Sequence, residues 1–158
     1  MRPLDTRAHA AGGSGQLRPG DPGCGCSPKS CVEFTHQFMG QTDSILPDGA
    51  TGSGVGSSTL GNFTFTFEEH YAATPLGASV IGRETLTFED GSTIEETYAG
   101  FSTNEGTFVE NIKIVGGTGR FEGAQGAAVQ WGIAVLNEAG FAFTSAEEGQ
   151  ICGRHLDE

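Results

Sequence analysis

The sequence predicts a single all-β domain, either a sandwich or, better, a closed antiparallel barrel of seven or eight strands. Three observations support this fold class. Apolar and polar residues alternate with a period of two, glycine-rich turns recur at hairpin spacing, and helical periods with caps are missing from the sequence. We prefer the barrel because closure removes the exposed strand edges that a sandwich leaves.

The chain divides into an N-terminal arm, residues 1–30, and the barrel, residues 31–155. The arm carries Gly12-Gly13-Ser14-Gly15 and then Pro19-Gly20-Asp21-Pro22-Gly23. This composition offers little apolar surface to bury and keeps a high chain entropy, which predicts disorder. The alternative is that the arm acts as a lid or plug over the mouth of a cavity.

The first strand begins at Cys31, where Val32, Phe34 and Phe38 start the alternation. A loop is expected to follow, from Pro47 through a run of glycines. Phe63, Phe65 and Phe67 then mark the clearest strand of the chain, and Asp90-Gly91 is a strong hairpin signal. The further strands predicted by alternation span residues 79–89, 92–101, 108–114, 125–135 and 141–152.

Charge limits the classes of partner. The net charge is −12 and only 8 residues are Lys or Arg, which argues against nucleic acid and anionic membranes as ligands. The longest apolar runs are far shorter than a membrane-spanning helix requires, and residues 1–11 lack the apolar core of a secretory signal. We therefore expect a cytoplasmic protein whose partner is a neutral or cationic small molecule.

The four cysteines leave several interpretations open. Cys24, Cys26 and Cys31 are clustered, and Cys152 lies near the C-terminus, followed by His155. These residues are capable of holding zinc, although the spacing matches no standard ligand pair. A disulfide between the arm and the last strand is a second possibility, which a reducing cytosol disfavours. Unpaired thiols are the default expectation.

If the aromatic phase of each strand faces inward, the barrel interior is aromatic but also contains carboxyl groups. The predicted inward aromatic and aliphatic residues are Phe34, Phe38, Phe63, Phe65, Phe67, Phe108, Ile112, Trp131, Phe141 and Phe143. The predicted inward polar residues are His36, Glu69, Glu84, Glu96, Tyr98, Glu110 and Glu147. Either many of these glutamates lie at strand ends near solvent, or one or two line a cavity with a raised pKa suited to acid–base chemistry.

One segment resembles a family signature. The run from Val115 to Gly126, VGGTGRFEGAQG, is similar to the signature of the allene oxide cyclase-like barrels and the related dirigent proteins. It combines a glycine-rich turn, an Arg for pairing, an aromatic plug and small residues for close strand packing. The segments Gly61–Phe63, Leu86–Gly91 and Ala99–Phe101 also resemble the bacterial spirotetronate-forming [4+2] cyclases. The resemblance covers roughly residues 32–152.

The resemblance implies an eight-stranded barrel that folds a reactive polyene or epoxide in an aromatic cavity, without cofactor or metal. The implied activity is that of a cyclase of secondary metabolism, an isomerase or lyase acting on an apolar natural-product intermediate. We expect Glu69, Glu110 and Tyr98 as catalytic residues. The expected substrate-binding residues are His36, Phe65, Phe67, Glu96, Phe108, Trp131, Phe141 and Phe143.

Two other functions remain open at this point. The same cavity could serve a non-catalytic small-molecule carrier or dirigent-like template, which has no need of a buried acid. A barrel filled by its own side chains would act only through its surface. The resembled families also imply a homodimer or homotrimer, and the predicted outward faces are rich in Thr and small residues such as Thr64, Thr66, Ala128, Ala134 and Ala142.

Overall fold

The structure, a computed structural model, describes residues 30–156 and shows a closed antiparallel barrel. Each strand pairs with the next, and β1 pairs with β8 to close the barrel. This confirms the predicted fold class. The strands are β1 (Ser30–Leu46), β2 (Gly49–Ser58), β3 (Phe63–Thr74), β4 (Gly77–Phe88), β5 (Thr93–Thr103), β6 (Thr107–Thr118), β7 (Gln125–Asn137) and β8 (Gly140–Gly153), with a 3-10 helix at Gly119–Phe121.

Part of the predicted arm, residues 1–29, lies outside the described residues, together with Cys24 and Cys26. A role of the arm as a lid or plug therefore stays a prediction. Within residues 30–156, no helix has the length and apolarity needed to cross a membrane.

Strand β2 occupies the segment for which the sequence suggested a loop, so that expectation was wrong. Three of its glycines lie directly opposite the phenylalanines of β3, in the pairs Gly52–Phe67, Gly54–Phe65 and Gly56–Phe63. A Cβ on these glycines would come within 2.2–2.6 Å of the opposing ring atoms. The glycines thus make room for the aromatic rings of the neighbouring strand, which is a packing reason for glycine inside a strand.

The two ends of the barrel differ. The turns β1–β2, β3–β4, β5–β6 and β7–β8 lie at one end, which we call the open end. The connections β2–β3, β4–β5 and β6–β7 lie at the other, the closed end, together with residue 30, where the described chain begins. The inward residues near the closed end are large and apolar, among them Phe34, Leu86, Phe88, Ile94, Ile114 and Ile151.

Phe121 and Arg120, from the signature segment, seal the closed end. Phe121 is only 1% exposed, and its ring centroid lies 4.9 Å from that of Phe88. The Arg120 guanidinium lies over both rings, donates a hydrogen bond of 2.6 Å to the Leu60 carbonyl oxygen, and pairs with Asp90 at 3.1 Å. The aromatic plug and the pairing arginine expected from the sequence are therefore both present, and they join three connections of the barrel.

A disulfide joins Cys31 and Cys152, which face each other across the β1–β8 pair. The default expectation of unpaired thiols was wrong for these two residues, and zinc binding by them is excluded while the bond persists. The bond links residues separated by 121 positions in the sequence, at the seam where the first and last strands close the barrel. Disulfides of this kind are typical of oxidising compartments, whereas the sequence suggested a cytoplasmic protein.

Candidate functional site

A cavity of about 300 Å³ lies inside the barrel toward the open end. Its walls are mainly aromatic, and its volume is at the lower limit of ordinary ligand pockets. Strands β3, β6 and β8 supply four phenylalanines, and alternation along each strand directs these rings to the interior. The aromatic lining consists of Phe67, Phe108, Phe141, Phe143, Tyr71 and Tyr98.

Glu69 is the centre of a hydrogen-bonded group in the wall of the cavity. Tyr71 donates its hydroxyl proton to one carboxyl oxygen of Glu69, and Tyr98 donates to the other at 3.1 Å. Burial raises the pKa of Glu69, and the two tyrosine hydrogen bonds act in the opposite direction because they stabilise the carboxylate. Burial and the nearby carboxyl groups raise the pKa values of both tyrosines, so the two hydroxyls remain donors.

Glu110 is a second carboxyl group that faces the cavity. Its side chain is buried, and burial, followed by repulsion from Glu69 and Glu147, raises its pKa to about 8. A carboxyl group with this pKa is mostly protonated at neutral pH and can donate a proton or a hydrogen bond. The interpretation of cavity-lining glutamates with raised pKa therefore agrees with the structure better than their placement at solvent-exposed strand ends.

The structure brings together most of the predicted site residues. Seven of the eleven expected side chains line the cavity: Glu69, Tyr98, Glu110, Phe67, Phe108, Phe141 and Phe143. Phe65, His36 and Glu96 are inward, as predicted, but they lie deeper in the buried core and do not line the cavity.

The predicted position of Trp131 was wrong. Its side chain is 42% exposed and lies on the outer surface, near Val109 of the neighbouring strand. The inward residues of β7 are the small or polar ones of the opposite phase, including Ala128, Gln130 and Ala134, so the expected outward position of the two alanines was wrong as well. Small residues face inward here because neighbouring strands fill the space: a Cβ on Gly132 would lie 2.7 Å from the Phe108 ring.

Six further polar residues line the cavity but were absent from the predicted site, among them Tyr71, Glu84 and Gln130. Tyr71 follows Glu69 by two positions, so extending the alternation of β3 by one step would have identified it. Glu84 was predicted to face inward, and it lies at the cavity as well. Gln130, which donates a hydrogen bond of 2.9 Å to Ser145, was hidden by the wrong phase of β7.

Below the cavity lies a group of fully buried polar side chains, His36, Glu96 and Glu147. Their exposed fractions are 0%, 1% and 0%. His36 Nδ1 lies 3.8 Å from Glu147 Oε1, and one potential ligand atom from each residue lies within 4.8 Å of the other two. Burial lowers the pKa of His36 to about 3, so its imidazole is neutral, and burial raises the pKa values of both glutamates. Imidazole and carboxylate donors of this kind suit a transition-metal ion.

Comparison with known proteins supports the fold. No family model matches the chain, and no curated protein matches its sequence. Among solved structures, the chain is similar to a pterocarpan synthase dirigent protein, with a TM-score of 0.50 and 19% sequence identity over 80% of this chain and 87% of that chain. The protein therefore has a dirigent-like barrel fold, which is one part of the resemblance seen in the sequence. The link to allene oxide cyclases and spirotetronate-forming cyclases stays a prediction.

Proposed function

We propose that this barrel binds an apolar small molecule carrying a hydroxyl or carbonyl group in the cavity at its open end. The observation that carries the proposal is the combination of aromatic walls with one hydrogen-bonded polar group, Glu69 between Tyr71 and Tyr98. Ligand pockets typically have this composition, in which apolar walls give affinity and a few placed polar groups fix the orientation.

The charge of the cavity restricts the ligand. Glu69, Glu84 and Glu110 line it, while the Arg and Lys side chains of residues 30–156 are absent from its walls. An anionic ligand would be buried without a cation to compensate its charge, so the ligand is neutral or cationic. The fold shared with a pterocarpan synthase dirigent protein supports a natural-product intermediate as the ligand.

Glu110 favours a second candidate function, a cofactor-independent cyclase that uses the same cavity. With its raised pKa, Glu110 is a neutral acid at the cavity wall. It can protonate an epoxide oxygen of a polyene, which breaks the C–O bond and leaves Glu110 as a carboxylate; loss of a proton from the cyclised cation to this carboxylate restores the acid. In a [4+2] cyclisation the same group would only hydrogen-bond a carbonyl, and the walls would hold the reactive conformer.

A neutral fluorescent probe, N-phenyl-1-naphthylamine, tests binding. We expect saturable fluorescence enhancement with one probe per chain, and at least about tenfold weaker binding in Ala134→Phe, whose ring would occupy the cavity. Ala142→Phe adds the same ring on the exposed side of β8 and is the matched control. Absence of saturable binding, or equal binding by the two variants, would contradict the proposal.

The same preparation separates the two functions. Incubation with epoxyfarnesol, followed by gas chromatography coupled to mass spectrometry, detects a cyclised product of unchanged mass at a new retention time. An enzyme would form it, and Glu110→Gln would abolish its formation while still binding the naphthylamine probe. A protein that binds the probe but leaves the epoxide unchanged has no cyclase activity on this substrate, and the binding function alone would remain.

A further inference from the structure

The buried group His36, Glu96 and Glu147 connects opposite walls of the barrel. His36 on β1 and Glu147 on β8 are direct partners across the closing strand pair. Glu96 lies on β5, directly opposite Glu84 on β4, and Glu84 also faces the cavity. The four side chains therefore converge on the barrel axis from two pairs of neighbouring strands.

Most of these polar atoms have no hydrogen-bond partner that would compensate for their burial. Among residues 30–156, both ring nitrogens of His36 and both carboxyl oxygens of Glu147 find no hydrogen-bond partner, and Glu96 has only the neighbouring carboxyl group of Glu84 within reach. One oxygen of Glu84 also has no hydrogen-bond partner. Each such group costs on the order of 1–3 kcal/mol when it stays unsatisfied, more when charged, so a native protein is expected to satisfy them.

The surroundings provide no protein cation for this group. The ring of His36 is enclosed by Phe34 at 4.4 Å, Phe63 at 5.1 Å and Phe38 at 5.7 Å between centroids. Within the described part of the chain, the Arg and Lys side chains are exposed or half-buried at the outer surface and the closed end. The deep interior thus combines several carboxyl groups with a single imidazole.

We propose that His36, Glu96 and Glu147 bind a zinc ion or a similar divalent transition-metal ion, with Glu84 as the candidate fourth donor. Two carboxylates and one neutral imidazole around a divalent ion form a unit without net charge, which an aromatic interior can hold, provided that Glu84 donates as the neutral acid. The ion also gives a bonding partner to atoms that otherwise have none.

Geometry and donor type favour zinc over the alkaline-earth ions. Donors bound to one tetrahedral zinc ion lie at about 2.0–2.2 Å from it and therefore roughly 3.4 Å from each other. The three donor atoms lie within 4.8 Å of one another, so the side chains must rotate to bring them closer when the ion binds. Magnesium and calcium prefer oxygen ligands, and magnesium usually keeps several waters, for which a site enclosed by aromatic rings leaves little room.

Refolding experiments on the full chain test this proposal, because a fully buried site is filled most readily during folding. The protein is denatured in guanidinium chloride with EDTA, with its disulfide intact and Cys24 and Cys26 alkylated by iodoacetamide so that these thiols cannot compete. It is then refolded with Zn²⁺, with Mg²⁺ or without metal. We expect about one zinc ion per chain by mass spectrometry and a Tm increase of roughly 10 °C at a free zinc concentration about 100-fold above Kd. Mg²⁺ should produce neither.

Two neighbouring glutamates on β8 provide the matched variants. Glu147→Gln removes a donor with little change of shape and should weaken zinc binding by at least about 100-fold. Glu148→Gln makes the same change one residue away, on the exposed face of the strand, and should bind zinc like the wild type. Refolded Co²⁺ protein should show visible d–d absorption that Glu147→Gln lacks.

Several results would overturn the proposal. The first is a wild-type protein that refolds without zinc uptake or a Tm shift, which would mean that the carboxyl groups are protonated and hydrogen-bond one another. The second is equal zinc binding by Glu147→Gln and Glu148→Gln. The third is loss of binding in His70→Gln, because His70 forms an exposed group with Asp48 and Glu68 on the outer surface.

Discussion

The closed and open ends of this barrel are built from the same strands but serve different purposes. At the closed end, Phe121 and Phe88 pack ring against ring under Arg120, and the Cys31–Cys152 bond joins the first and last strands. At the open end, the phenylalanine rings contact one another at 5.7–6.2 Å between centroids, but they line a cavity that carboxyl groups also border. We therefore expect stability to be concentrated at the closed end, which would allow the open end to keep buried acids and unfilled volume.

Removing the aromatic plug should produce the largest effect. Phe121→Ala deletes a ring that is fully buried and that supports Arg120, so we expect a loss of about 3–5 kcal/mol in the free energy of unfolding. Phe141→Ala at the open end deletes the same ring from the cavity wall and should cost less than half as much. Urea denaturation followed by circular dichroism measures both values. Equal losses would contradict the proposed division between the two ends.

The disulfide of the closed end should have the next largest effect. Replacing Cys31 and Cys152 together by Ser removes a cross-link between residues 121 positions apart. Because the bond restricts the unfolded chain, we expect a loss of about 2–4 kcal/mol.

Reducing the wild type with a phosphine provides a control free of substitutions. It should shift the urea midpoint by the same amount as the double variant, whereas the double variant itself should not respond to the phosphine. A double variant as stable as the wild type would show that strand pairing alone secures the seam.

The sequence predicted the faces of the strands better than their depth in the barrel. Alternation placed Phe67, Glu69 and Glu110 inside, and the signature segment identified the plug of the closed end. It missed β2, because glycines carry no side chain to alternate and their role depends on rings of another strand. It also reversed β7, because a large aromatic was assumed to face inward, whereas Trp131 lies outside.

The depth of an inward side chain along the barrel depends on the register of the strand pairs, and the alternation of apolar and polar residues carries no information about register. His36, Glu96 and Glu147 were each predicted to face inward, yet their convergence requires the pairing of β1 with β8 and of β4 with β5. The same information decides that Phe65 lies in the core while Phe67, two residues further along the strand, borders the cavity.

Glu110, the protonated acid at the open end, should make the free energy of unfolding depend on pH. The apolar side chains of the closed end do not titrate and cannot have this effect. The folded-state pKa of Glu110, about 8, lies above the ordinary glutamate value of 4.5, so the folded protein retains a proton that the unfolded chain loses. Its stabilising contribution is complete below the unfolded pKa and disappears as the pH rises to about 8. Between these limits the free energy of unfolding should fall with pH, and Glu110→Gln should reduce the slope by up to about 1.4 kcal/mol per pH unit.

Urea denaturation at several pH values between 5 and 9, in the presence of EDTA, measures this slope. Glu105→Gln removes a carboxyl group from the exposed β5–β6 turn at the same end and controls for the change in net charge. If Glu110→Gln kept the wild-type slope, the proton uptake would belong to the other buried glutamates. Glu110 would then lose its role as the acid at the cavity wall, and the cyclase function would lose its main support while ligand binding would not.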